Sequence, residues 1–145
     1  VNFSDVETFV HDGYVALGYD ANSATFPVLD PGPATDANLQ KLSPGRVIFL
    51  TLGGGAGVTS EDLFDRPFIT CRVIGDQGDY ADAETLAQQL DHMFLAVNQV
   101  ANRQIGTARV LYVARAGGGP VLLEKDSADR YHFTVTYITE TGTGL

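Results

Sequence analysis

Eight apolar residues between Ala83 and Val100 fall on one helical stripe: Ala83, Leu86, Ala87, Leu90, Met93, Phe94, Val97 and Val100. Spacings of three and four over this length give a helix of about five turns with one oily face. Such a face must be buried against another layer. Residues 80–103 are therefore read as one helix. Asp79 is its cap, Asp82 and Glu84 lie in its first turn, and Gly106 closes it.

The partner layer is written in strands. Val47, Ile48, Phe49 and Leu50, within residues 46–52, are apolar on both faces, as a central strand requires. Residues 66–76, opened by Asp65-Arg66-Pro67, alternate instead. Ile69, Cys71 and Val73 point one way; Phe68, Thr70, Arg72 and Ile74 point the other. Only residues 53–64 separate these two strands, so an antiparallel hairpin with a long tip is expected. Beyond the helix, residues 108–114 read as a strand, 116–120 as a break and 121–123 as a short strand. Residues 131–139 read as the last strand, with Tyr131, Phe133, Val135 and Tyr137 opposed to His132, Thr134, Thr136 and Ile138.

A second helix is expected over residues 4–18. Ser4-Asp5-Val6-Glu7 has the form of a capping box, and Val6, Phe9, Val10, Tyr14 and Leu17 share a face. Gly18 suits its end. Residues 20–45 break the order, because Pro27, Pro31, Pro33 and Pro44 exclude a regular element from most of the stretch. They are read as an extended strap pinned by Phe26, Val28 and Leu29, in preference to a lid. A short helical turn from Asp36 to Leu42 would turn Leu39 and Leu42 inward. Residues 141–145 should fray. The sum is one α+β domain over 1–145: a mainly antiparallel sheet of four or more strands with two helices on one face.

Composition narrows function by exclusion. The 145 residues hold 18 acids and 9 bases, a formal charge of −9, which is wrong for a broad nucleic-acid grip. The acid is uneven: residues 1–45 hold six acids and one base, whereas 107–145 hold four of each. That front is either a solvated surface or one end of an oriented protein. A single cysteine offers no disulfide and no cysteine-based metal site. No apolar run approaches the roughly 18 residues of a membrane span, and no signal-peptide pattern opens the chain.

No motif supplies chemistry. Gly53-Gly54-Gly55-Ala56-Gly57 follows a strand but lacks the Gly-Lys-Ser/Thr of a phosphate loop, and Glu61 and Asp62 follow it. This segment and Gly117-Gly118-Gly119 are both read as flexible hairpin tips. His11, His92 and His132 lie on separate elements without metal-ligand spacing. Cys71 reads as core, no serine sits in a nucleophile elbow, and the paired carboxylates Glu61/Asp62 and Asp126/Asp129 lie in loops without an apolar flank. No catalytic residue, cofactor or metal is expected.

A family pattern does emerge. Gly45-Arg46-Val47-Ile48-Phe49-Leu50-Thr51-Leu52-Gly53-Gly54-Gly55 is followed by Phe64-Asp65-Arg66-Pro67-Phe68-Ile69-Thr70-Cys71-Arg72-Val73-Ile74-Gly75. Next come Ala81-Asp82-Ala83-Glu84-Thr85-Leu86-Ala87, Gly117-Gly118-Gly119-Pro120 and Tyr131-His132-Phe133-Thr134-Val135-Thr136-Tyr137. Over about residues 40–140 this order resembles the tail terminator proteins of long-tailed bacteriophages, especially those of actinobacterial hosts.

The resemblance implies a structural virion protein made in the bacterial host cytoplasm and placed at the tail–neck junction. It would form a ring, usually a hexamer, on the last ring of the major tail tube protein. The ring would stop growth at the length set by the tape measure protein, dock the head–tail connector, and let DNA pass transiently through its lumen. A closed ring needs two different complementary faces per subunit. Arg66, Arg72, Arg109 and Arg115 are expected to meet acids of a neighbour such as Asp76, Asp82 or Glu84. The glycine-rich segments (Gly53, Gly54, Gly55, Gly57 and Glu61; Gly117, Gly118 and Gly119) and the strap are expected to contact tube or connector. Other readings are a neck, head-completion or minor tail protein of the same virion, and a small-molecule binding domain.

Overall fold

The computed structural model describes residues 1–32, 45–53 and 64–142. Within them the chain forms helix α1 (Phe3–Ala16), strands β1 (Val28–Pro31), β2 (Val47–Gly53), β3 (Phe64–Asp65) and β4 (Phe68–Ile74), and helix α2 (Tyr80–Ala96). Strands β5 (Gln104–Ile105), β6 (Ala108–Arg109), β7 (Tyr112–Arg115), β8 (Val121–Lys125) and β9 (Tyr131–Gly142) follow. The expected α+β class holds: a mixed, mostly antiparallel sheet carries both helices on one face.

Strand β9 is the spine of that sheet. On one side it pairs antiparallel with β4, through Cys71↔Val135 and neighbours. A break at Arg66-Pro67 then separates β4 from β3, which pairs with residues 141–142. Proline has no N–H for the ladder, so the strand expected from residue 66 is interrupted here. Residues 141 and 142, expected to fray, are held in this pairing. On the other side of β9 lie β8 and then β7. Strand β2 pairs antiparallel with β4, as the expected hairpin requires, and β1 adds to β2 in parallel.

β1 departs from the sequence reading, which had no strand in the strap. Phe26 and Leu29 pack against the core as expected, but Val28 is exposed. Pro31 is tolerated because β1 ends the sheet path. The expected turn with Leu39 and Leu42 lies outside the described residues.

Both helices follow their apolar stripes, with shifted ends. In α1, Val6, Val10 and Tyr14 are buried, whereas Leu17, at the C-cap, is exposed. Its cap is Asn2, not Ser4: Asn2 accepts from the Asp5 amide at 2.9 Å and Asp5 from the Asn2 amide at 3.2 Å. The reciprocal bonding is that of a capping box, two residues earlier than expected. Gly18 takes φ +100°, which favours glycine at a helix end.

Helix α2 is capped by Asp79 as expected. It buries Ala83, Leu86, Ala87, Leu90 and Phe94, then gives way to a single 3-10 turn over Val97–Gln99. The expected continuation to residue 103 fails because Asn98 is used elsewhere. Its side-chain amide donates to the Val113 carbonyl at 2.7 Å and accepts from the Val113 amide at 2.8 Å, tying the helix end to β7. Val100 is consequently exposed. Gly106 does not close the helix. It sits at φ +61° in the β5–β6 turn, and a Cβ there would lie 2.6 Å from the Asp5 backbone.

The core lies between helices and sheet. Ile48, Leu50, Ile69, Cys71, Val73, Phe133, Val135 and Tyr137 face α1 and α2, so the predicted core faces of these strands are correct. Tyr137 stacks on Phe94 at 4.3 Å between ring centres, and the Tyr14 hydroxyl donates to the Leu86 carbonyl at 2.8 Å. On the far face Val47, Phe49 and Ile74 form a second buried cluster, consistent with β2 being apolar on both sides.

Candidate functional site

Four arginine clusters, a glycine bulge and an open groove are the chemically distinctive features. Three of the clusters hold arginines expected at a subunit interface. On β4, Arg72 donates from Nε to His132 Nδ1 at 2.9 Å and from Nη2 to Glu124 Oε1 at 2.6 Å. Because Arg72 donates to Nδ1, the His132 proton belongs on Nε2, which faces Asp126 Oδ2 at 2.7 Å. Asp126 also accepts from the Arg130 backbone and from Arg130 Nε at 3.2 Å. His132 is fully buried. Burial lowers its pKa, outweighing the opposite pull of Asp126. Burial works to raise the Asp126 pKa, but His132 and Arg130 hold it below the usual carboxylate range.

On β7, Arg115 forks onto Asp91 of α2, with Nε at 3.0 Å from Oδ1 and Nη2 on Oδ2. Tyr137 donates to the same Oδ1 at 2.8 Å. Burial would raise the Asp91 pKa; the three hydrogen bonds keep it low. Before β4, Arg66 bonds Glu140 at 3.2 Å, and Tyr112, opposite Glu140 in the ladder, together with Arg66 lowers the pKa of that carboxylate. Arg46, not singled out from sequence, grips Asp82 with Nε and Nη2 at 2.9 and 2.7 Å.

Asp82 thus serves its own chain and also accepts from the Asp76 amide at 2.9 Å. Asp76 accepts from the Gln77 amide at 3.0 Å, and Glu84, beside Tyr80, raises the pKa of the Tyr80 hydroxyl. Arg109 lies exposed on β6. Arg66, Arg72 and Arg115 therefore each have an acidic partner within the chain. Sequence reasoning could not pair them, because Arg72 meets Glu124, and Arg66 meets Glu140, only after the strands are in register.

The glycine segments differ from the expected pair of tips. Gly53 ends β2 opposite Phe68. Gly54, Gly55, Gly57 and Glu61 lie outside the described residues. Gly117, Gly118 and Gly119 do not cap a hairpin, because β7 and β8 run the same way along β9. The Ala116 amide bonds the Thr136 carbonyl, and Val121 is already opposite Thr134. Residues 117–120 therefore loop out from one broken edge strand, and Gly119 approaches the Arg115 guanidinium.

An open groove of about 1040 Å³ runs between α1 and α2, lined by Phe9, Asp12, Gly13, His92 and Met93 among others. Among the described residues no three of His, Cys, Asp and Glu gather as a metal site. Burial raises the Cys71 thiol pKa, so it stays protonated. Among the described residues no helix is long and apolar enough to cross a membrane.

No protein-family model and no curated protein matches the chain. A solved structure does. A chain from the "Virion of native gene transfer agent (GTA) particle" is similar over 90% of this chain and 91% of its own, with a TM-score of 0.58 and 15% identity. At that identity the likeness establishes a shared fold.

Proposed function

We propose that this protein is a structural component of a phage-like virion, and specifically a tail terminator. The observation that carries the coarser reading is the fold shared with the virion chain along nearly the full length of both. The finer reading rests on the ordered motifs between residues 40 and 140 that resemble tail terminators. In this role the chain forms a ring on the last tail-tube ring, ends tube growth and receives the head connector. It performs no catalysis and passes DNA through a lumen that its excess of acid keeps from gripping the duplex.

The interface arginines fit this reading in a modified form. Arg66 and Arg115 remain partly exposed while paired, so each can keep its intrachain carboxylate and offer remaining donors to a neighbour. The segment 53–62 and the bulge at 117–119 are the proposed contacts to tube or connector.

The test is a particle-assembly experiment in which the gene is removed. A terminator's loss yields heads beside unjoined tails whose tubes overrun their fixed length. Unjoined tails of normal length would move the protein to the neck or connector. Normal virions would remove it from the assembly path altogether.

A further inference from the structure

The described sheet has two unlike edges. One is β8, outside which no strand lies among the described residues. All five of its residues are exposed, and three consecutive ones are apolar: Val121 at 54%, Leu122 at 43% and Leu123 at 49%. Leu111 and Tyr112 extend the exposed apolar line at the start of β7. Exposed apolar residues scattered singly need no explanation, but a run of them on an open strand edge is a pairing surface. Natural edges are usually blunted by charge. Here the ladder's charged residues, Glu124 and Lys125, come only at the strand's end, after a bulge that leaves Leu123 out of register.

The other edge is β1. Val28 is 46% exposed, and no strand lies beyond β1 among the described residues. The Val28 and Gly32 amides point inward, to the carbonyls of Arg46 and Leu50 at 2.9 and 3.3 Å. By strand alternation Leu29 and Pro31 direct their backbone groups outward. Pro31 has no N–H, so Leu29 carries the outward donor.

The edges also differ in charge. β1 lies in the acidic front of the chain, with Asp30 in the strand itself, whereas β8 carries Glu124 and Lys125, the latter paired with Asp129 at 3.1 Å, and so has no net charge. Unlike edges on opposite sides of one sheet suit a head-to-tail contact, which closes into a ring if the rotation allows.

We propose that β8 of one copy of this chain docks on β1 of the next, so that the sheets of neighbouring subunits run on through their edges. Leu122 and Leu123 pack beside Val28, and Leu29 supplies backbone hydrogen bonds. This contact deepens the ring reading above and rests on it.

Sedimentation over a concentration series, using the full chain, tests the pairing. The wild type should assemble as concentration rises. Leu123→Asp and Val28→Asp should each be monomeric at tenfold the concentration at which the wild type assembles. Mixed one to one, they should form a dimer and nothing larger, because each retains the edge the other has lost. Leu123 lies outside the β8–β9 ladder, so its substitution spares the fold; unchanged circular dichroism checks this. If Leu123→Asp nevertheless unfolds, Val121→Asp replaces it in the same mixture. Val28→Asp dimerising alone would indicate a two-fold β8–β8 contact and overturn the proposal. Both variants assembling like the wild type would overturn the edge pairing and leave the ring intact. A wild type that stays monomeric and is missing from isolated tails would overturn the ring reading, and the pairing with it.

Discussion

On the helix side of the sheet, Phe94 stacks on Tyr137 and Val6, Val10 and Leu90 close the space around them. On the far side, β4 and β9 carry Arg72 and His132, joined to Asp126 and Glu124 by hydrogen bonds. The first face is held mainly by packing, with Asp91 bonded to Tyr137 and Arg115 within it. The second has an apolar cluster of its own at Val47, Phe49 and Ile74, but around His132 it depends on every polar group keeping its partner. One region fails through voids, whereas the other fails through a donor or acceptor left unmet.

The sharpest test of that contrast lies on the helix side. Phe94→Ala removes a fully buried ring that touches Phe9 and Tyr137. A loss of about 3–5 kcal/mol is expected in urea unfolding, because the packed layers collapse only partly into the void. A loss below about 1 kcal/mol would mean that this side is no more tightly packed than the far one.

Asp126→Asn probes the far side while nearly preserving shape. It removes the carboxylate oxygen that accepts from buried His132 and from Arg130. The expected cost is about 1–3 kcal/mol by the same measurement, that of a buried donor losing its acceptor. A neutral result would show that the network is redundant.

The far side should also respond to acid. Burial lowers the folded pKa of His132 below its ordinary 6.5. As pH falls below about 6.5, the unfolded chain therefore takes up a proton that the folded chain still refuses. Stability is fully present above that pH and declines toward the lower folded pKa. The urea midpoint should be lower at pH 5.5 than at pH 7.5, and His132→Gln should reduce the difference. An equal difference in the variant would assign the acid response to other groups.

The same contrast explains what could be read from the sequence. Periodicity located both helices, the β2–β4 hairpin and the inward faces of β4 and β9, because burial by one layer repeats every two or three to four residues. It could not show that Asn98 would end α2 by bonding the Val113 backbone, nor that Asn2 would cap in place of Ser4. Those outcomes depend on where a distant segment docks: Thr107, for instance, secures Asp5 with two hydrogen bonds at 3.1 and 2.7 Å. Nor could it pair Arg115 with Asp91, since helix and strand meet only in the fold. A proline-rich composition concealed β1, whose edge position makes Pro31 acceptable. The open edge at β8 was half visible, as a short apolar strand, but its exposure was not.

The smallest effect expected on the far face is at its threonine pair. Thr70 and Thr136 stand opposite each other on β4 and β9, with hydroxyl oxygens 3.1 Å apart. Both are half-buried, so water can replace either lost partner. Replacing the two together with valine removes donor and acceptor at once and keeps the branched shape that a pleated strand favours. The double variant should therefore fall within about 0.5 kcal/mol of wild type, and Thr70→Val alone should cost no more than about 1 kcal/mol. A double variant markedly less stable than the single would show that the hydroxyls belong to the same interdependent network as Arg72 and His132. The polar part of the far face would then act as one network from Asp126 to the centre of the sheet, beside the apolar cluster of Val47, Phe49 and Ile74.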